Sequence, residues 1–357
     1  MALEQLLTSM LQNKASDLHV TAGSPPTFRV HGNLIRAKMP PLTPDETKAV
    51  CFSVLSESQK EEFQKNRQVD LSFTVNSVAR FRANIFFQRG AVAGAFRYIP
   101  IDIPKMEKLG LPTAVGNLMR RPRGLFLVTG ATGSGKSTTL ASIIDALNDS
   151  DSLHIITIED PIEYIHKHKN CLVNQREVNE DTKSFAGALR AALREDPDVV
   201  LVGEMRDLEA IETALTLAET GHLVLSTLHT NSAYQSITRM IQVFPSTAQD
   251  QIRLQLSMVL EGVLTQNLIP RADGQGRVLA LELMVANASI RNLIRENKLH
   301  QVQSAMLMGQ DQSGMITMNQ SLYQLAKRGV ISRQTALETS PDADDLSKQL
   351  SDIRKAG

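Results

Sequence analysis

The sequence predicts an α/β protein with a parallel sheet of the P-loop type, preceded by a smaller α+β domain. Three observations carry this. Short β-branched or leucine-rich runs at 124–129, 155–158, 199–202 and 223–227 alternate with stretches of helical periodicity. Such runs suit strands buried on both faces, and the alternation suits a parallel sheet. A glycine-rich stretch, Gly130 to Thr138, joins the first of those strands to a helix. The first hundred residues lack the alternation and mix short strands with helices, as an antiparallel α+β domain does.

The elements are justified in chain order. Leu3, Leu6, Leu7, Met10 and Leu11 recur at helical spacing beside Glu4. They predict an amphipathic helix with a core-facing stripe, not a signal peptide. Residues 27–35 read as a hairpin turning at His31, Gly32 and Asn33. Residues 47–65 read as helical, and 70–74, 79–88 and 92–98 as strands. The prolines at 100 and 104 mark a linker. A further strand is read at 279–284, and from about Asn287 the pattern is helical. Residues 341–357 read as a polar, half-ordered tail. The boundaries drawn are an N-terminal domain over 1–100, a linker over 101–112, a parallel-sheet α/β core over 113–286 and a helical segment over 287–357.

Composition bounds the class. A chain of 357 residues predicts two domains. Its 42% hydrophobic and 21% charged residues describe an ordinary globular protein. The 38 basic and 38 acidic side chains cancel, which argues against a dedicated nucleic-acid binder. Two cysteines, Cys51 and Cys171, are too few for a disulfide framework or a four-cysteine zinc site. No apolar run is long enough to cross a membrane, and a cytoplasmic location is expected.

The stretch Gly130-Ala131-Thr132-Gly133-Ser134-Gly135-Lys136-Ser137-Thr138 satisfies G-x-x-x-x-G-K-[ST] in the strand–loop–helix setting the motif requires. Its backbone amides curl around phosphates, and the helix N-terminus adds positive potential. Lys136 is expected at the outer phosphates and Ser137 on Mg2+. The residues from Ala131 to Thr138 therefore form the expected site for a nucleoside triphosphate.

Four further segments carry chemistry. The run at 155–158 ends in Glu159, Asp160 and Glu163, where catalytic groups of open α/β sheets gather. This strand follows the P-loop helix and is expected beside the P-loop strand, with its carboxylates orienting the attacking water. Asp198 to Glu204 reads as a Walker B strand that ends in Gly203 and Glu204, where an aspartate is common. Glu163 and Glu204 compete for the role of base. Glu163 is preferred as base and Glu204 as the holder of metal or water. In Gly221 to Asn231, His229 follows a strand and is expected to sense the γ-phosphate; no neighbouring ligand spacing makes it a metal site. Arg80 and Arg82 share a strand face, and Arg97 lies on the next strand. They suit phosphate binding, or a solvated strand face, and composition does not decide between the two.

With these segments in view, the chain resembles the secretion-superfamily ring ATPases, and within them the type IV pilus retraction motors. The matching stretches are GATGSGKSTT, ITIEDPIEY, DPDVVLVGEMRD and GHLVLSTLHTNSA, with SDLHVTAGSPPTFRVHG and RFRANIFFQRG nearer the start. SIRNLIREN, Ser289 to Asn297, is similar to the signature of the retraction branch, with Ser289 in place of alanine. The resemblance covers essentially the whole chain. It implies a PAS-like N-terminal domain on a RecA-like core, a homohexamer, hydrolysis of Mg2+-bound ATP, and Arg82 and Arg97 as phosphate contacts. It also implies action on a PilC-like platform protein at the inner-membrane face. Arg206 to Glu209 and the SIRNLIREN helix become candidates for mechanical coupling. Extension motors of the group typically carry a longer N-terminal region and a tetracysteine site, neither of which this sequence shows. An accessory retraction paralogue, a related secretion ATPase and a RecA-like motor moving nucleic acid stand as alternatives; aromatics at 4% count against the last.

Overall fold

In the computed structural model the described residues are 2–30, 32–75, 79–99, 102–205, 207–308 and 313–353. They form two compact units: Met1–Asp102 with Pro161–Ile165, and Ile103–Asp160 with His166–Gly357.

The first unit is built on an antiparallel sheet of β1 (Asp17–Val20), β2 (Thr27–Val30), β3 (Asn33–Arg36), β4 (Gln68–Val75), β5 (Ala79–Gln88) and β6 (Ala91–Ile99). Their order is β3-β2-β1-β6-β5-β4. Alternation sends Ala79, Phe81, Ala83 and Ile85 of β5 into the core and leaves Arg80 and Arg82 on the other face. Helix α1 (Leu3–Gln12) buries Leu3, Leu6, Leu7 and Met10, the stripe its spacing predicts. The helical stretch read at 47–65 is two helices, α2 (Pro44–Phe52) and α3 (Glu57–Asn66). Ser56 is the reason: its hydroxyl caps Gln59 N–H while the Gln59 side chain answers at the Ser56 amide, so a new helix starts there. The turn expected at His31 lies outside the described residues; its flanks pair Val30 with Asn33.

The second unit carries a sheet of β7 (Gly124–Thr129), β8 (His154–Glu159), β9 (Leu172–Glu177), β10 (Val199–Val202), β11 (Leu223–Leu228), β12 (Leu260–Pro270) and β13 (Arg277–Val285). The order is β13-β12-β7-β11-β10-β8-β9, parallel throughout except for β13. The helices are α4 (Thr113–Met119), α5 (Lys136–Ser150), α6 (Phe185–Ala192), α7 (Leu208–Glu219), α8 (Ala233–Gln242), α9 (Gln249–Val259), α10 (Ala288–Arg295), α11 (Val302–Met308), α12 (Met318–Lys327), α13 (Arg333–Thr339) and α14 (Ala343–Ile353). Strand β8 does not adjoin the P-loop strand β7, contrary to the sequence expectation; β11 and β10 lie between them. Every residue of β10 and β11 is buried, so these strands take interior places, while the more polar β9 closes the edge.

Two stretches read differently in the fold than in the sequence. Lys105, inside the expected linker, binds Asp145 and Asp149 of α5, and Pro104 O accepts from Ser142. The tail from 343 to 353 is helical: Leu346 and Leu350, one turn apart, pack with Leu322, Ile331 and Ala336 against Ile269 and Ala280 of the sheet. Among the described residues no helix is long and apolar enough to cross a membrane.

Candidate active site

The P-loop leaves β7 at Gly130, whose φ is +139°. A Cβ there would stand 2.3 Å from Gln266 O and 2.6 Å from Ser134 Oγ, so only glycine fits. The loop ends at Gly135, with φ +92°, and α5 begins at Lys136. Lys136 is buried; its Nζ donates to Gly130 O at 2.8 Å and to Ala131 O at 3.1 Å. The lysine thus folds over the mouth of its own loop. Ser134 is buried, and among the described residues its Oγ has no hydrogen-bond partner. Ala131, Thr132 and Gly133 are exposed, and Ser137 and Thr138 are half-buried on the first turn of α5. A ring of amides at a helix N-terminus with an orphaned hydroxyl and a captive lysine fits a polyphosphate. Ser137 and Glu204 would supply hard oxygen donors, which fits Mg2+.

The carboxyl ends of the neighbouring strands converge. Glu204, just past β10, has its Oε1 3.3 Å from His229 Nε2, just past β11. Parallel pairing of β10 with β11 places the two loops side by side. Thr227 Oγ1 donates to Gly203 O at 2.6 Å and fastens the same junction. A Cβ on Gly203 would lie 3.2 Å from Ile158 O and 3.3 Å from Glu159 Cα. A side chain at 203, where a Walker B aspartate is common, would therefore crowd the ends of β8 and β10, which would have to part by a few tenths of an ångström. Glu159 comes up against this junction, its Oε1 accepting from Thr157 Oγ1 at 2.7 Å and from Gln175 Nε2 at 3.3 Å.

Glu163, Arg82 and Arg97 belong to the first unit. Glu163 lies in the segment Pro161–Ile165, which Arg80 holds through a bond from Nε to Ile162 O at 3.2 Å. Arg82 and Arg97 face each other across β5 and β6. Two like charges directly opposed repel, and acidic neighbours offset this. Arg97 Nε donates to Asp17 Oδ1 at 2.8 Å, Asp17 also lies 3.9 Å from Arg29, and Arg82 lies 4.0 Å from Asp70. Burial would raise the Asp17 carboxyl, but bonds from Arg97 and Ser16 and the Arg97 charge hold it below its ordinary value. The register runs Arg29, Asp17, Arg97, Arg82 across four strands, a row with more cations than anions. Arg206 of the coupling segment lies outside the described residues, while Asp207 beside it caps α7 at Ala210 N–H.

The sequence left three contributors unassigned. Glu159 was one of three clustered carboxylates, and its placement at Gly203 is what separates it from the others. Thr265 and Gln266 sit on β12, which the sequence does not announce as a strand. Thr265 Oγ1 is 2.9 Å from Thr129 Oγ1, and Gln266 Nε2 donates to Thr139 Oγ1 at 2.7 Å. Both brace the P-loop from the side of β12.

The family model described as type II/IV secretion system protein matches residues 1–338. The Pseudomonas aeruginosa type IV pilus retractation ATPase PilT is 48% identical over 95% of this chain and 98% of its own. The Pseudomonas aeruginosa type IV pilus ATPase PilU is 40% identical over 97% of this chain and 92% of its own. A crystal structure of the pilus retraction motor PilT with bound ADP superposes with a TM-score of 0.91 at 55% identity, covering 98% of this chain and 99% of that one.

Proposed function

The chain belongs to the type II/IV secretion system protein family, and on that premise we propose that it is an ATP-hydrolysing motor that powers retraction of type IV pili and so twitching motility. The observation that carries this is that one unit holds both the P-loop after β7 and the Glu204–His229 pair, with β11, which leads to His229, paired to β7, in a chain similar along its length to a retraction ATPase.

ATP binds with its phosphates on the amides of Ala131 to Thr138. Lys136 exchanges the carbonyls of Gly130 and Ala131 for the outer phosphates. Ser137 and Glu204 would hold Mg2+, Glu204 directly or through water, and the ion would supply positive charge at the phosphoryl oxygens. Glu163 accepts the proton of the attacking water. Glu204 keeps His229 facing the terminal phosphate, so the imidazole registers its presence or loss. Arg82 and Arg97 offset charge that develops in the transition state. The working form is a homohexamer at the cytoplasmic side of the inner membrane. It drives a PilC-like platform protein so that pilin subunits return to the membrane.

Lys136→Ala should lower ATP turnover by about a hundredfold or more and, in the source organism, leave surface pili in excess with twitching lost. Wild-type turnover in that variant would remove the P-loop from the reaction. Absent pili would indicate an extension motor, and unchanged pili and motility an accessory paralogue.

A further inference from the structure

Glu282 lies on β13 and is 8% exposed. Among the described residues no cation lies within ion-pair distance of it. Its partners are instead two backbone amides that open two helices. Its Oε1 accepts from Ala233 N–H, the first residue of α8, at 2.8 Å. The carboxylate also accepts from the backbone N–H of Met318, the first residue of α12. A helix N-terminus carries roughly half a positive charge, so two of them about balance one carboxylate. Burial still pushes the carboxyl above its ordinary value, with the two amides pulling against it.

The two helices lead to different places. Backwards from Ala233 the chain reaches His229 within four residues. That loop is bound to the first turn of α8: Thr230 Oγ1 lies 2.7 Å from Ser236 Oγ, and Asn231 N–H donates to Gln235 Oε1 at 3.0 Å. The loop therefore follows the α8 N-terminus, and His229 with it. Forwards from Met318 runs α12, which packs with α13 and α14. Between the histidine loop and these C-terminal helices is a cavity of about 350 Å³, bordered by Ala131, Asn231, Gln266, Met318 and Thr339. The cavity leaves room for one side to shift against the other, and Glu282 spans the two.

We propose that Glu282 is a positioning residue for hydrolysis, holding His229 against Glu204 by anchoring α8 and tying that anchor to the C-terminal helices through α12. The proposal rests on the ATPase reading above and adds to it a route from the nucleotide to the C-terminal segment.

The test measures kcat and KM for ATP in the full chain for wild type, Glu282→Leu, Glu282→Gln, His229→Ala and the double variant Glu282→Leu with His229→Ala. Thr317→Ala serves as a control, because it weakens the cap of α12 and leaves Glu282 intact. The expected result is a fall in kcat of about tenfold for Glu282→Leu with KM within about twofold. Glu282→Gln, which keeps an acceptor oxygen, recovers part of the loss. The double variant is no slower than His229→Ala alone, and Thr317→Ala, which disturbs only the α12 side of the anchor, loses less than Glu282→Leu. If Glu282→Leu does not fold, the same cycle with Glu282→Gln decides. Wild-type kcat at position 282, losses that multiply with His229→Ala, or an equal loss in Thr317→Ala would overturn the proposal. Turnover in Lys136→Ala equal to that of wild type would instead remove the ATPase reading, and this proposal with it.

Discussion

His166 is a buried imidazole whose Nδ1 has no hydrogen-bond partner among the described residues. Burial pushes its pKa from 6.5 down to about 4, while the Asp145 charge pulls upward and the Lys169 charge downward. The folded protein keeps the ring neutral where the unfolded chain would already be protonated. Above pH 6.5 both states are neutral and the residue adds no pH dependence. As pH falls from 6.5 towards 4, the unfolded state gains protons that the folded state refuses, and stability falls by on the order of 3 kcal/mol. His166→Gln should therefore flatten the decline of the denaturant midpoint over that range; equal slopes in both proteins would show that the ring is not held neutral. Nothing in the sequence marks this residue, because its character comes from what covers it. Lys136 and Ser137 are the opposite case: their roles are set by neighbours within one loop, and the motif alone announces them. Glu159 and Glu163 stand between. Four residues apart in sequence, they are divided between the two units by the fold.

At the scale of elements, helix α10 shows how a short signature acquires a physical task. Ile290, Leu293 and Ile294 fill the core, as their spacing predicts. Arg291 points elsewhere and serves the C-terminus of α9. Its Nη1 donates to Ser257 O at 2.9 Å and Met258 O at 2.7 Å, and its Nη2 to Glu261 Oε1 at 2.8 Å. The last carbonyls of a helix lack partners within it, and a guanidinium satisfies them while answering the negative end of the dipole. Glu261 sits where the register of β12 shifts beside the P-loop strand β7. Glycine at 124 is required there, since a Cβ would stand 2.5 Å from Glu261 Cγ. Arg291 thus secures the entry of the strand that braces the P-loop. Arg291→Met keeps much of the apolar stem but orphans those acceptors. It should cost about 1–3 kcal/mol in urea unfolding, with Arg291→Lys in between. No loss in the methionine variant would mean that water serves the α9 terminus equally well.

At the scale of the whole molecule, ring assembly is the expectation that follows from the proposed motor. Light scattering of the purified chain with and without nucleotide should show a particle of six protomers. A strict monomer under every condition would sink the hexameric motor. Net charge is zero over the chain, so long-range repulsion between copies is small and association is left to local complementarity.

The parallel-sheet class, the P-loop and the amphipathic α1 were legible in the sequence because each depends on residues close together in the chain, where helix and strand periods and loop spacing act directly. Strand order, the joining of Glu204 to His229, the capping of α9 by Arg291 and the sharing of Glu282 by two helices were settled only by the tertiary structure. In each of these a polar group is satisfied, or a strand is covered, by a partner remote in sequence. Such a pairing leaves no local pattern, because its energy arises only when distant segments exclude water together.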